Sequence, residues 1–280
     1  MPTQFLHLTL LTLLLISAAQ SPAATPSPLP DDGKTAATII EVPIQKIDPP
    51  EKNFYAKRLD YHGLPIKAAA VVSDAAFYEA WRRVDNLLGK NPVILQNLLL
   101  AHSEIHIIGK DQQQTDLPEF LNQKAVPLRE NPKITLDERA RGMGGRDCSC
   151  GEENLLKLPK DRYRGRDILS HEFTHTIHAF GVSANIKQLI TKTYKAARDQ
   201  KLWETPDGKP IYAGSNEHEY IAELALWYVG GRGDWPRVMG KVESGPEFIK
   251  KYDPEGFKLV DDLFSGRAEV QPVNPRPRRD

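Results

Sequence analysis

The chain has 280 residues, of which 40% are hydrophobic and 26% charged, an ordinary composition for one globular domain with a sizeable core. Lys plus Arg and Asp plus Glu number 37 each, so the formal net charge is zero. This balance gives no overall electrostatic footprint for binding nucleic acid or an anionic membrane. We therefore expect a local site to select the partner.

Both ends of the chain differ from the middle. An apolar stretch from Phe5 to Ala19 is too short to cross a bilayer. We interpret residues 1–24 as a signal peptide, although no Lys or Arg precedes the apolar core, and an uncleaved anchor is the alternative. Export predicts a secreted, extracellular protein, with the periplasm or cell surface as alternative locations. Residues 25–52 predict a Pro-rich flexible linker and residues 266–280 a basic, Pro-rich solvated tail.

The region between them, residues 53–265, is the predicted folded domain. An apolar, β-branched stretch covers residues 66–72, and Ser73 is a good N-cap for an amphipathic helix that Gly89 ends. A second apolar helix is predicted for Val93–Leu100 and a short strand for Ile105–Ile108. These elements predict a helical layer packed against a small sheet.

Residues 131–161 lose this periodicity. Glycine collects in residues 141–146. This segment is either an ordinary glycine loop, which carries no chemistry of its own, or a loop that lines a substrate cleft. Cys148 and Cys150 follow. Their close spacing allows a strained redox-labile bridge, two free thiols, pairing to another chain, or a thiolate that reaches a metal and keeps an enzyme latent.

The stretch Ile168–Ile177 contains the pattern His171-Glu172-x-x-His175. Residues i and i+4 share one helix face, so His171 and His175 can both turn an imidazole toward one metal ion. Glu172 lies about 100° further round the helix, where it can reach a water molecule at the metal without being a ligand. The pattern predicts the active-site helix of a zinc hydrolase, and a surface helix with two stray histidines is the alternative.

Catalytic zinc usually takes three protein ligands, so another residue must contribute. His178 shares the face of the motif, but its Cα would lie about 10 Å along a straight helix from that of His171. One metal ion is therefore not expected to bind His171, His175 and His178 together from a single straight helix. We therefore assign His178 to packing or support behind the ligands.

A better candidate lies in the predicted helix of residues 216–230. Glu219 and Glu223 are four residues apart and share one face. This spacing allows Glu219 to bind the metal while Glu223 accepts an imidazole N–H. The alternative for Glu219 is a capping box with Asn216.

The motif together with Tyr212, Glu219 and Glu223 resembles the catalytic signature of the anthrax lethal factor metalloprotease domain and of its relatives, the bacterial Pro-Pro endopeptidases. The resemblance implies His171, His175 and Glu219 as zinc ligands. It implies Glu172 as the general base and Tyr212 as the partner of the oxyanion. It covers residues 171–223 only and transfers neither a cell-entry domain nor a cleavage preference.

These observations predict an α+β, zincin-like metalloprotease fold, mostly helical with a small mixed sheet and the HExxH motif on a helix. The predicted function is a secreted zinc metalloendopeptidase of the gluzincin type, in which zinc and Glu172 activate water to hydrolyse peptide bonds. Its predicted cofactor is Zn²⁺, and its predicted partner is a peptide or protein substrate. We expect no nucleic acid, no stable membrane span and a monomer.

Two other classes remain open. The first is a non-catalytic, zinc-stabilised extracellular binding protein of the same fold, but a structural zinc site has no use for Glu172. The second is a carbohydrate-active enzyme with Glu152 and Glu153 as paired carboxylates. Such enzymes hold their two carboxyl groups about 5 to 9.5 Å apart across a sugar, which adjacent residues give no reason to expect.

Overall fold

A computed structural model describes residues 42–274 and contains one six-stranded sheet surrounded by helices. The predicted signal peptide and residues 25–41 of the predicted linker lie outside the described residues. Within residues 42–274, no helix combines the length and the apolar character needed to span a bilayer. The predicted combination of many helices with a mixed sheet is confirmed.

The sheet has the strand order β1-β2-β3-β4-β6-β5. The pairs β3–β4 and β4–β6 are parallel, and the other pairs are antiparallel. The short strand β5 forms one edge of the sheet, beside the helix that carries the histidine motif. The strands are β1 (Gln45–Glu51), β2 (Tyr55–Tyr61), β3 (Leu64–Ala68), β4 (Glu104–Ile108), β5 (Gly142–Met143) and β6 (Asp147–Gly151).

Helices pack against the sheet and against one another. A π-helical turn, Ile177–Gly181, extends the fifth helix, and a 3₁₀ turn, Tyr212–Gly214, precedes the seventh. The helices are α1 (Asp74–Leu88), α2 (Pro92–Leu100), α3 (Leu136–Arg139), α4 (Glu152–Leu155), α5 (Ile168–Thr176), α6 (Ala184–Asp199), α7 (Glu217–Tyr228), α8 (Pro246–Tyr252) and α9 (Pro254–Phe264).

The main core lies between the sheet and the helices. Apolar residues of β2, β3 and β4 pack with one face of α1, and Phe173 of α5 and Leu224 of α7 join the same cluster. Helix α5 packs directly against α7 and β6. Burial of this apolar surface is the main favourable contribution to folding. It also fixes the relative position of the two helices that carry the predicted site.

Two parts of the sheet differ from the sequence expectations. Strand β1 lies within the range predicted as a linker. Gln45 and Lys46 pair with β2, so the sheet begins before residue 53. Strands β5 and β6 lie within the range predicted as a loop. There β6 pairs in parallel with β4, and Cys148 and Cys150 lie fully buried in the core as free thiols. Burial raises the pKa of both thiols, and among the described residues neither thiol belongs to the group of side chains that one metal ion could join.

A buried polar network lies on the sheet at His106 of β4. His106 Nε2 is 3.0 Å from Glu104 Oε2, and His106 Nδ1 is 2.6 Å from Glu119 Oε1. Tyr55 donates its hydroxyl to Glu119 Oε2 at 2.7 Å, and Lys67 Nζ lies 2.9 Å from Glu104. Burial lowers the pKa of His106, but the contacts with Glu104 and Glu119 outweigh that effect and raise it. The contacts of His106 and Tyr55 with Glu119 tie the segment around Glu119 to the sheet.

Candidate metal centre

Helix α5 begins at a well-satisfied N-terminus. The Asp167 carboxylate accepts the N–H of Ser170 at 3.0 Å and its hydroxyl at 2.6 Å. Arg83 of α1 donates to the same carboxylate at 2.7 Å, so the cap is anchored to the core. Capping of this kind typically stabilises a helix by about 1 kcal/mol. It holds the first turn of α5 in place directly before the histidine motif.

The motif has one buried side and one side that faces a cleft. Ile168, Leu169 and Phe173 lie in the core, as their apolar character predicted. His175 and Glu172 are half-buried, and both line the cleft.

Three side-chain atoms converge at the base of the cleft, two from α5 and one from α7. His171 Nε2 lies 3.1 Å from His175 Nε2. Glu219 Oε2 lies 3.2 Å from His171 Nε2 and 3.4 Å from His175 Nε2. The structure therefore brings together the three residues that the sequence suggested as metal ligands. Among the described residues, this is the group of metal-binding side chains that one ion could join.

The separations fit a shared zinc ion. Ligands at about 2.0–2.1 Å in a tetrahedron lie about 3.3–3.4 Å from one another, close to the three observed values. Glu219 is 1% exposed, yet no N–H is well directed at either of its carboxylate oxygens. Buried charged oxygens are stabilised by a directed donor or by a cation. Two imidazoles and one carboxylate are a donor set that zinc binds, so the residues fit the metal.

The electrostatics of the cluster also favour a cation. Burial raises the pKa of Glu219, but its contacts with His171 and His175 outweigh this and lower it. Burial lowers the pKa of His171, but Glu219 and Glu223 outweigh this and raise it to about 10. The two carboxylates thus stabilise positive charge at this point, whether it is a proton or a metal ion.

Glu223 lies behind His171, as its spacing from Glu219 predicted. Glu223 is fully buried, and its Oε1 lies 3.0 Å from His171 Nδ1. The distance is that of a hydrogen bond, although the ring N–H is not directed squarely at the oxygen. Arg166 Nη2 donates to the same oxygen at 2.6 Å, and the backbone N–H of Asp234 donates to Oε2. Burial raises the pKa of Glu223, but Arg166 and His171 outweigh this and lower it.

Asn216 supplies the cap of α7. Its Oδ1 accepts the backbone N–H groups of His218 at 2.9 Å and of Glu219 at 3.0 Å. The Glu219 carboxylate faces the two histidines of α5 and does not complete a capping box. The cap and the cluster therefore use different side chains.

Tyr212 lies on the 3₁₀ turn that leads into α7. Its ring stacks on that of His171, with centroids 5.8 Å apart and an interplanar angle of 19°. Burial, followed by the nearby carboxylates of Glu219 and Glu172, raises the pKa of Tyr212. The hydroxyl therefore keeps its proton at neutral pH and can donate a hydrogen bond.

The cleft above these residues has a volume of about 480 Å³. Strand β5 and the following glycines line it, and so do Tyr163, Arg166 and Asp234. The glycines matter sterically, because a Cβ at Gly144 would lie 2.7 Å from the Cβ of His175. The glycine-rich segment lines the cleft, which is one of the two interpretations that its sequence left open, although part of it is a strand.

His178 does not join the cluster. The π-helical turn carries it to His218, where the two Nδ1 atoms lie 3.2 Å apart. Burial, followed by Coulombic interactions with His218 and Lys187, lowers the pKa of His178 to about 3. A neutral, packed imidazole agrees with the role that the sequence suggested.

The alternative carboxylate pair has structural partners instead. Glu152 accepts the backbone N–H groups of Ser73 at 2.9 Å and of Lys110 at 3.0 Å. Glu153 forms a two-pronged ion pair with Arg141, at 2.7 and 2.5 Å. Both carboxylates are buried and already satisfied, so they form no pair across a sugar-binding cleft.

Sequence reasoning missed Arg166 and Asp234, which contact Glu223 from a loop before α5 and a turn after α7. Neither residue belongs to the histidine motif or to the signature formed with Tyr212, Glu219 and Glu223. The available signal was physical: a carboxylate predicted on a buried helix face requires a cation or several donors. That argument predicts a partner for Glu223 but does not say which Arg or Lys supplies it.

Comparisons with known proteins place the chain only loosely. No protein-family model matches the sequence, and no curated protein matches it. The structure is similar to that of the Pro-Pro endopeptidase from Paenibacillus alvei, with a TM-score of 0.48 and 17% identity. The match covers 69% of this chain and 92% of that one. A likeness of this size assigns no family, so the functional argument rests on the residues.

Proposed function

We propose that this protein is a zinc-dependent metalloendopeptidase. His171, His175 and Glu219 would hold the zinc ion. The observation that carries the proposal is the convergence of their three donor atoms at 3.1 to 3.4 Å from one another, beside Glu172 in an open cleft. A purely structural zinc site closes its coordination shell, whereas a catalytic site keeps a side open to solvent.

Each residue has a distinct chemical task in this proposal. When bound, zinc would act as a Lewis acid that polarises a peptide carbonyl and makes water more acidic. Glu172 accepts a proton from the attacking water and returns it to the leaving amine. The Tyr212 hydroxyl donates a hydrogen bond to the carbonyl oxygen as negative charge develops on it. Glu223 keeps His171 in the tautomer and orientation that leave its Nε2 free to bind.

The wall of the cleft suits an extended peptide. Strand β5 is the outermost strand in the sheet order, and Gly142 and Met143 both line the cleft. Exposed strand edges bind extended peptides through main-chain hydrogen bonds. A peptide paired with β5 would run past Glu172 and the three converging donor atoms. This arrangement favours cleavage within a chain.

The broader proposals rest on sequence features. The apolar N-terminal stretch supports export, with the peptidase domain following a signal and a linker. The signature from His171 to Glu223 supports kinship with the lethal factor metalloprotease domain and the Pro-Pro endopeptidases. A zincin-like arrangement is the expected consequence of that kinship.

The direct test combines metal analysis with a peptide-library digest. Purified mature protein is expected to contain about one zinc per chain, as a mononuclear catalytic site requires. It should cleave peptides, lose activity with a zinc chelator and regain it when zinc is returned. Glu172→Gln should retain zinc but lose hydrolysis, whereas His175→Ala should lose both.

The outcomes separate the alternatives. Bound zinc without cleavage of any peptide in the library would favour the zinc-stabilised binding protein. Full peptidase activity in the Glu172→Gln variant would remove the assigned base. Activity that survives complete removal of the metal would exclude the proposed chemistry.

A further inference from the structure

A buried ion pair links the loop before α5 to α7. Arg166 Nη2 donates to Glu223 Oε1 at 2.6 Å, and Glu223 is fully buried. The backbone of Arg166 is fixed, since its carbonyl accepts from Asn154 Nδ2 at 2.7 Å and its N–H donates to the Tyr163 carbonyl at 3.2 Å. The guanidinium therefore reaches α7 from an anchored position.

The same carboxylate contacts a predicted zinc ligand. Glu223 Oε1, which accepts from Arg166, also lies 3.0 Å from His171 Nδ1. The other oxygen accepts the backbone N–H of Asp234. Residue 233 must be glycine here, because a Cβ at Gly233 would collide with Glu223 Oε2 and with the Trp227 ring. The carboxylate is thus held at both oxygens.

We propose that Arg166, with the Gly233–Asp234 turn, is a positioning residue that holds the Glu223 carboxylate so that His171 keeps its Nε2 directed at the zinc site. This inference rests on the proposed function, in which His171 is a zinc ligand. A buried carboxylate that loses its cation must rotate toward water or take up a proton. Either change releases His171 Nδ1, and with it the orientation and tautomer of the ring.

The first test replaces Arg166 with Met, which keeps much of the length but removes the charge and the donors. Mutation of a residue that supports a metal ligand typically costs 10–100-fold in metal affinity or activity, so the zinc Kd should rise about 10–100-fold. The value of kcat should fall as well, but KM does not decide the question, because Arg166 itself lines the cleft. The visible spectrum of the Co²⁺-loaded protein should change, and Arg166→Lys should recover part of the affinity.

Arg83→Met is the matched control. Arg83 is also buried and forms a 2.7 Å ion pair with Asp167 at the start of the same helix. None of its hydrogen bonds reaches the converging side chains; its partners are Glu79, Asn154, Leu155 and Asp167. This variant should lose stability and raise the zinc Kd much less than Arg166→Met does, because it loosens the start of α5 and Asn154 but leaves the Glu223 carboxylate paired with Arg166.

A second perturbation approaches the carboxylate from its other side. Gly233→Ala should displace Glu223 Oε2 and therefore also raise the zinc Kd. If Arg166→Met does not fold, Gly233→Ala and Arg166→Lys together test the inference. Wild-type zinc affinity in Arg166→Met, or an equal loss in Arg83→Met, would overturn the inference. If the wild type binds no zinc, the proposed function fails with it; a zinc-binding wild type with an unaffected variant contradicts this inference alone.

Discussion

The substitution Glu219→Gln separates metal binding from helix capping. Gln keeps the shape of the side chain but removes its charge. Asn216 already supplies the cap of α7 through its Oδ1, and the Glu219 carboxylate instead faces His171 and His175. Loss of the carboxylate should therefore weaken zinc binding and leave the helix start intact.

The size of the effect follows from linkage. Loss of a direct ligand should cost at least the 10–100-fold in affinity that supporting residues typically cost. A 100-fold weaker Kd removes about 2.7 kcal/mol of zinc-dependent stabilisation when zinc is in excess. In a domain of this size 1 kcal/mol shifts Tm by about 2–4 °C, so the zinc-loaded variant should melt about 5–11 °C below the zinc-loaded wild type.

The assay is thermal unfolding with and without zinc, together with Kd from competition with a chelator. Glu217→Gln, in the same first turn of α7 but outside the cluster, is the matched control and should retain the zinc-dependent rise in Tm. Asn216→Ala should lower stability by about 1 kcal/mol with or without zinc, as loss of a cap does. If Glu219→Gln behaves like Asn216→Ala, or binds zinc as the wild type does, the ligand assignment is wrong.

Three further predictions concern other parts of the molecule. Tyr212→Phe should lower kcat by a factor equivalent to about 2.7–4 kcal/mol, as loss of an oxyanion donor does, while zinc content, measured by atomic emission, stays unchanged; an unaltered kcat would leave Tyr212 a packing residue. Gly144→Ala should reduce both zinc affinity and peptide cleavage, because its Cβ would lie 2.7 Å from the Cβ of His175, and normal cleavage would show that the wall yields at little cost. The pKa of His106 is raised in the fold. The contribution of His106 to the free energy of unfolding is therefore fully present below its unfolded pKa of about 6.5, and it is lost as pH rises through its folded pKa. Urea unfolding should therefore show a steeper loss of stability from pH 6 to pH 9 in the wild type and in the exposed-site control His62→Gln than in His106→Gln.

Local signals predicted the longer helices well, but they missed the one-turn helices α3 and α4 within residues 131–161. Helix α1 begins one residue after Ser73 and ends before Gly89, and α7 begins one residue after Asn216. Caps and apolar periodicity are properties of a few neighbouring residues, so a sequence shows them directly. The spacing within the histidine motif, and between Glu219 and Glu223, is local in the same way. The local geometry of the candidate site was therefore accessible from the sequence.

The sheet around β6 was not accessible in this way. Its sequence alternates small and polar residues, yet Cys148 and Cys150 face one buried side while Ser149, also buried, accepts from Gln114 at 2.9 Å. Pairing with β4, which is far away in sequence, makes this segment a strand. Strand propensity is strongly dependent on such context. The partner of Glu223 could not be predicted for the same reason, since Arg166 is distant from Glu223 in sequence and contacts it only in the folded structure.

The buried face of α7 gives a physical reason to expect that metal binding and folding would be coupled in this protein. Glu219 and Glu223 lie four residues apart and are almost fully buried, an arrangement that is costly unless each carboxylate has compensating charge. Arg166 supplies that charge for Glu223 within the fold. For Glu219 it comes from protonated imidazoles or from a zinc ion, and only the zinc ion leaves both imidazoles neutral and able to bind. Zinc binding should therefore release protons, strengthen as pH rises through the histidine range, and raise the stability of α7 more than that of the distant sheet. Hydrogen exchange resolved by segment, with and without zinc, measures this difference, and equal protection of β2 and α7 would contradict the coupling.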